Sequence, residues 1–192
     1  MKNQELLKTG GKPAPGELVL VQGFVNTIDI EEGVDQIRSE PSLKSWLVRH
    51  GLLRSDAKVT SQDHRMIISL REALRRLMLA NNGDTVQPAA LKEINRLVSR
   101  FKLAARFKTD GSLDLVPDNY GSAAVCGQIL ALVVQAVSDG TWFRLKACDE
   151  PNCRWAFYDG SRNHSGRWCS MSVCGSRDKA RAYRRRRTTA EK

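Results

Sequence analysis

The chain has 192 residues, 41% of them hydrophobic and 27% charged, and its 31 Lys+Arg against 21 Asp+Glu leave a formal net charge of +10. That balance belongs to a folded globular protein and excludes collagen-like, low-complexity and disordered classes. Five cysteines, an odd number, are too few for a disulfide scaffold, and neither a signal peptide nor an apolar run of the ~20 residues that span a bilayer is evident, so the expected compartment is the reducing cytoplasm.

The first 16 residues, ending Gly10-Gly11-Lys12-Pro13-Ala14-Pro15-Gly16, read as a flexible N-terminus. Leu18 to Thr27 is apolar and β-branched and reads as a strand, or a strand leading into a helix. Pro41 to His50 reads as a short helix with Leu43, Trp46 and Leu47 on one face and Gly51 after its end. Thr60 and Asp63 have capping-box spacing and precede a helical repeat of Met66, Ile67, Leu70, Ala73, Leu74, Leu77 and Met78, which Gly83 closes. Arg65, Arg71, Arg75 and Arg76 fall around the polar side of this helix, where arginines are usually solvated. Asn26, Thr27 and Arg71 are candidates for a ligand pocket, although an Asn at the end of an apolar element more often satisfies backbone groups.

Pro88 opens a further helix with Leu91, Ile94, Leu97 and Val98 facing inward. Leu103, Ala105 and Phe107 alternate with basic residues, Thr109-Asp110-Gly111-Ser112 supplies a turn, and Leu113 and Leu115 alternate again, which predicts a hairpin. Ala123 to Val137 is apolar nearly all round and reads as a buried helix with Cys126 as a small core residue. Residues 17–140 therefore read as a helix-rich α+β domain.

The charge is unevenly distributed. Residues 1–140 carry 18 basic and 16 acidic side chains, whereas residues 141–192 carry 13 and 5. In the same segment Cys148, Cys153, Cys169 and Cys174 give C-x4-C-x15-C-x4-C, two short pairs that can converge on a tetrahedral Zn²⁺. Asp149 to Asn152 would form a knuckle, Trp155 to Tyr158 a strand, Asp159 to Gly166 a turn, and Arg167 to Cys169 a returning strand. An Arg-rich helix would follow from Met171 or Cys174, which is a treble-clef order. Two disulfides are the alternative in an oxidising compartment. His164 could replace one cysteine, but its place in the turn suits an exposed or phosphate-facing residue better. Residues 188–192 read as a tail.

Trp142-Phe143-Arg144, the four cysteines, Ser161-Arg162-Asn163, Arg167-Trp168-Cys169-Ser170-Met171 and Cys174-Gly175-Ser176-Arg177 together resemble the CGNR zinc finger over residues 141–187. Upstream, Phe24-Val25-Asn26-Thr27, Leu43, Trp46-Leu47, Gly51-Leu52-Leu53 and Leu70 to Arg75 resemble the ABATE domain that accompanies this finger in bacteria. Ser176 stands where the family name has Asn, and Gly23 stands where many members carry Asp. The resemblance implies a bacterial regulator of transcription linked to stress responses.

The expected mechanism is DNA binding by the finger, with Arg177, Lys179, Arg181, Arg184, Arg185, Arg186 and Arg187 on phosphates or base edges. Arg162, His164 and Arg167 would add backbone contacts. A single finger has a small footprint, which favours a homodimer on two half-sites, and the N-terminal domain would sense an effector or partner. RNA or ribosome binding, with Trp155, Tyr158 and Trp168 stacking on bases, is the alternative, as is a protein-interaction module. No nucleophile elbow, phosphate loop or HExxH pattern occurs, so no enzymatic activity is expected.

Overall fold

The computed structural model of the chain describes residues 12–190, with side chains as far as Arg187. The apolar stretch expected as a strand is a helix: α1 spans Leu18–Val25. Periodicity alone cannot separate a short buried helix from a buried strand. The surroundings decide it, because Leu18, Val21, Phe24 and Val25 are all enclosed and Gln22 is buried beside them. A helix bonds its own backbone groups where no strand lies alongside to do so. The first eleven residues of the expected flexible N-terminus lie outside the described residues, but residues 12–16 are tied down. Ala14 is buried and its N–H donates to Gln22 Oε1 at 2.7 Å, while the Lys12 carbonyl accepts from the Tyr158 N–H at 3.3 Å.

A short antiparallel ladder of β1 (Ile28–Asp29) and β2 (Val34–Asp35) precedes α2 (Glu40–Arg49) and α3 (Ser61–Ala80). Both helices start at reciprocal side-chain caps. Ser39 pairs with Ser42, and Thr60 and Asp63 form the capping box expected from their spacing. α4 (Pro88–Val98) packs chiefly on α3 and buries Ile94. Leu91, expected to face inward, is exposed, because contact with a single neighbour covers only a narrow stripe of α4.

β3 (Leu103–Phe107) and β4 (Leu113–Pro117) form the expected hairpin, with Leu103 opposite Pro117 and Phe107 opposite Leu113. α5 (Gly121–Ser138) lies against β4 and is long and apolar enough to cross a membrane by length and composition. Val125, Cys126, Ile129 and Ala136 bury one side of it in the core, whereas Val134 and Val137 are exposed, so its burial is not all-round.

A turn over Trp142–Arg144 leads into β5 (Leu145–Ala147), antiparallel to β6 (Ala156–Tyr158). One wide turn, Met171–Gly175, then opens α6 (Ser176–Ala190), which continues as helix through part of the expected tail. The expected partner strand at Arg167 to Cys169 is irregular chain; the hairpin forms earlier, across the knuckle, because β5 pairs with β6. The result is α+β, with three two-stranded sheets among the described residues. Trp142, Leu145, Ala147 and Ala156 belong to the same apolar cluster as Phe24, Leu43, Leu70 and Leu74. The C-terminal hairpin is thus part of the main core.

Gly127 lets α5 approach β4 closely: a Cβ there would stand 3.0 Å from Pro117 Cβ and 3.2 Å from its Cγ. Gly127→Val is expected to lower stability by about 1–3 kcal/mol in urea denaturation, although Gly is the poorer helix former. Unchanged or higher stability would show that this contact relaxes freely.

Candidate functional site

Cys148 follows β5 directly and Cys153 closes the knuckle. The Cys148 N–H donates to the Trp155 carbonyl at 2.9 Å, and the N–H groups of Cys153 and Arg154 both donate to the Glu150 carbonyl at 2.9 and 3.1 Å. Cys169 arrives on the irregular return segment, and Cys174 lies inside the wide turn before α6, its N–H on the Ser170 carbonyl at 2.9 Å. A Cβ on Gly175 would come within 2.5 Å of Met171 Sδ, so the exposed Met171 side chain would have to shift to admit one. Ser176 Oγ donates to the Met171 carbonyl at 3.4 Å, so serine bonds to that turn in the position where the motif has Asn.

All five cysteines are free, and the sulfurs of Cys148, Cys153, Cys169 and Cys174 lie within 4.8 Å of one another. The Cys153–Cys169 and Cys169–Cys174 separations are 3.6 and 3.8 Å. A tetrahedral Zn²⁺ about 2.3 Å from each sulfur would set the sulfurs about 3.8 Å apart, so the cluster fits that ion. Its chemistry fits too. The neighbouring thiols of Cys153 and Cys169 favour the ionised form of Cys148. The proximity of Cys148 in turn pushes the Cys153 and Cys169 thiols up. Four clustered thiols cannot all ionise beside one another without a cation, and a divalent cation removes that conflict. With four protein ligands there is no open coordination position, so the role of the ion is structural.

A buried ion pair shapes the loop between β6 and Cys169. Lys146 Nζ donates to Asp159 Oδ2 at 2.9 Å and to the carbonyls of His164 and Gly166 at 2.6 and 3.0 Å, and both side chains of the pair are 4% exposed. Asp159 also accepts from the N–H groups of Ser161 and Gly166 at 3.0 and 2.8 Å. Burial opposes its ionisation, but the bonds from Ser161, Lys146 and Gly166 outweigh it and hold the carboxyl well below the usual range. The loop carries Arg162 and His164 exposed at its tip, with His164 in a left-handed conformation at φ 51°. Arg167 instead turns back to Asp149, at 2.7 and 3.0 Å.

The knuckle and hairpin are sutured to the N-terminal helices by polar side chains. Asn26 Nδ2 donates to the Ala156 carbonyl at 2.9 Å, and its Oδ1 accepts from the Ala156 N–H at 2.7 Å. Gln22 Nε2 reaches the same carbonyl at 3.2 Å. Arg75 joins the Val25 carbonyl at 2.6 Å to the Arg154 carbonyl at 2.8 Å. Asn81 donates to the carbonyls of Trp142 and Leu145 at 3.0 and 2.9 Å, and Asn82 to that of Ala147 at 2.9 Å. Arg71 grips Asp35 through two bonds of 2.9 and 3.0 Å and donates to Thr27 Oγ1 at 3.1 Å. Asn26, Thr27 and Arg71 were candidates for a pocket wall; all three are buried, and the polar atoms just described are committed to partners within the chain.

α6 is anchored at its start. Arg181 reaches both oxygens of the buried Glu150 at 2.9 and 2.7 Å, and Arg177 reaches Glu31 of the β1–β2 turn at 2.6 Å. Lys179 and Arg184 to Arg187 are exposed along the rest of the helix.

A model described as "CGNR zinc finger" matches residues 144–187, and the ABATE model, described as "Putative stress-induced transcription regulator", matches residues 18–139. The chain belongs to the ABATE family. Its finger is of the CGNR type, and both families are regulatory or zinc-finger types rather than enzymes. No curated protein matches the chain significantly. In this ABATE chain the stretches Phe24 to Thr27 and Leu70 to Arg75 supply much of the suture to the CGNR finger.

Sequence reasoning missed several of these residues. Arg71 and Arg75, expected on a polar face, are 3% and 6% exposed. The signal was present, because Ile67, Leu70, Arg71, Leu74, Arg75 and Met78 form one continuous core stripe at helical spacing. Lys146, Asp159 and Glu150 carried no such signal, since each is buried only by tertiary partners.

Two outcomes are expected. In the zinc-loaded protein a thiol reagent should find no reactive cysteine, and four after chelation. Cys126, fully buried and pushed up to about 12 by that burial, should react only after denaturation. Asp159→Asn should cost about 3–5 kcal/mol at neutral pH in thermal or urea unfolding, because Lys146 is left buried without its counter-charge. The lowered Asp159 value means this contribution is complete above about pH 4 and lost on further acidification, so the difference should narrow there.

Proposed function

We propose that the chain is a transcription regulator that binds duplex DNA through α6, with residues 17–140 handling an effector, a partner or a second copy. The observation that carries this reading is the pairing of a thiolate cluster at the root of α6 with a dense basic row beyond it. Cys174 lies in the turn that starts the helix, Lys179 is exposed on its first turn, and Arg184 to Arg187 are exposed farther along it. A 15-residue helix is about 22 Å long, which suits the major groove, ≈ 12 Å wide.

Arg177 and Arg181 reach Glu31 and Glu150 and set the helix direction, and the exposed Lys179 and Arg184 to Arg187 are the proposed phosphate-contacting set. Arg162 and His164, exposed on the loop, would add contacts to the nucleic-acid backbone. One helix covers few base pairs, so sequence-specific recognition would need two copies on paired half-sites.

The test is affinity for random duplex DNA against salt concentration. Five neutralised phosphates give a log–log slope of about −4.5, and replacing Arg184 to Arg187 by Ser should flatten it to about −1. Affinity unaffected by these four changes, or by salt, would overturn the reading. A structured RNA that outcompetes duplex DNA would assign the helix to RNA instead.

A further inference from the structure

A groove runs between α3 and α4 with a cavity volume of about 380 Å³. It exists because α3 presents short side chains there, Ser69 and Ala73, while Met66, Ile94 and Leu97 form apolar walls. Its rim is strongly basic. Arg65, Arg76, Arg96 and Arg100 line it against two carboxylates, Glu72 and Glu93, and both carboxylates are already spoken for. Glu93 pairs with Arg76 at 2.9 Å, and Glu72 holds Arg71 and Arg75 at 2.8 and 3.1 Å. Among the described residues Arg96 and Arg100 form no ion pair, and Arg65 acts on Glu40 only at longer range. Arg96 lies in the last turn of α4 and Arg100 in the turn just beyond its end, and both are exposed where they line the groove.

We propose that this groove is a binding site for a small organic anion, a carboxylate on an apolar chain or ring. The apolar body would lie against Met66, Ile94 and Leu97, and the carboxylate would meet Arg96 and Arg100, with Arg65 close to the same rim. A mixed lining of this kind is how small-molecule sites obtain affinity from the walls and orientation from a few polar groups. Forked guanidinium groups suit a carboxylate in particular. One wall of the site is Glu72, whose carboxylate also fixes Arg75, the residue that joins α1 to the finger's knuckle at the Arg154 carbonyl. An occupant would therefore touch Glu72, the partner of the arginine that joins the two family regions. The proposal does not depend on nucleic-acid binding by α6, and its test contains no nucleic acid.

Decanoate is the probe, titrated into the zinc-loaded full chain by calorimetry, with decyltrimethylammonium as the cationic control of equal chain length. One decanoate site is expected, with affinity at least tenfold lower in Arg96→Gln/Arg100→Gln and lost in Ser69→Trp, which fills the groove from an exposed position. The cationic control should not bind there. Both variants should retain the wild-type circular dichroism spectrum, since none of the three positions is buried. If the arginine pair only stabilises the end of α4, the double variant will change melting temperature and leave decanoate affinity unaltered, which overturns the proposal. Equal binding of the cationic control, or binding that survives Ser69→Trp, overturns it as well.

Discussion

The amide of Asn26 pairs with both backbone groups of Ala156, and the relation between the two halves of the molecule depends on that exchange. It is the hydrogen-bond pattern one strand offers another, supplied by a single side chain at the end of a buried helix. β6 is the outer strand of a two-stranded sheet, so its open backbone groups need partners once the apolar core closes over them. Leaving either group of Ala156 unsatisfied would cost about 1–3 kcal/mol; Gln22 shares its carbonyl, Arg75 serves that of Arg154, and Asn81 and Asn82 serve those of Leu145 and Ala147 on β5. The finger is for that reason a graft onto the helical domain. Its hairpin shares the main core, and only the thiolate cluster and α6 lie beyond it.

That construction gives the metal a bounded task. A small arginine-rich segment has little apolar surface of its own, and here the hairpin borrows a core from α1 and α3. What remains for four thiolates to organise is the return segment, the wide turn and the direction of α6. Lys146 and Asp159 divide this labour with the metal, fixing the loop between β6 and Cys169 from underneath.

Arginine does three different jobs in the fold. Arg71 and Arg75 are buried struts whose charges are matched by Asp35 and Glu72. Arg177 and Arg181 are tethers to carboxylates on other elements. The basic row from Arg184 to Arg187 is exposed. The arginines that contribute to the net charge of +10 therefore sit in three different structural settings.

Local patterns in the chain were enough to establish α2, α3, α5, the β3–β4 hairpin and the four-cysteine cluster. Caps, turns and ligand spacings act over a few residues, so their chemistry is written in sequence order. The helical state of α1, the position of the C-terminal hairpin and the roles of Asn26, Arg71 and Arg75 were decided elsewhere. Each depends on partners far along the chain: Ala156 lies 130 residues from Asn26, and Arg154 lies 79 from Arg75. A buried polar side chain is tolerable only when its partner is present, and the sequence by itself does not say which partner folding will bring.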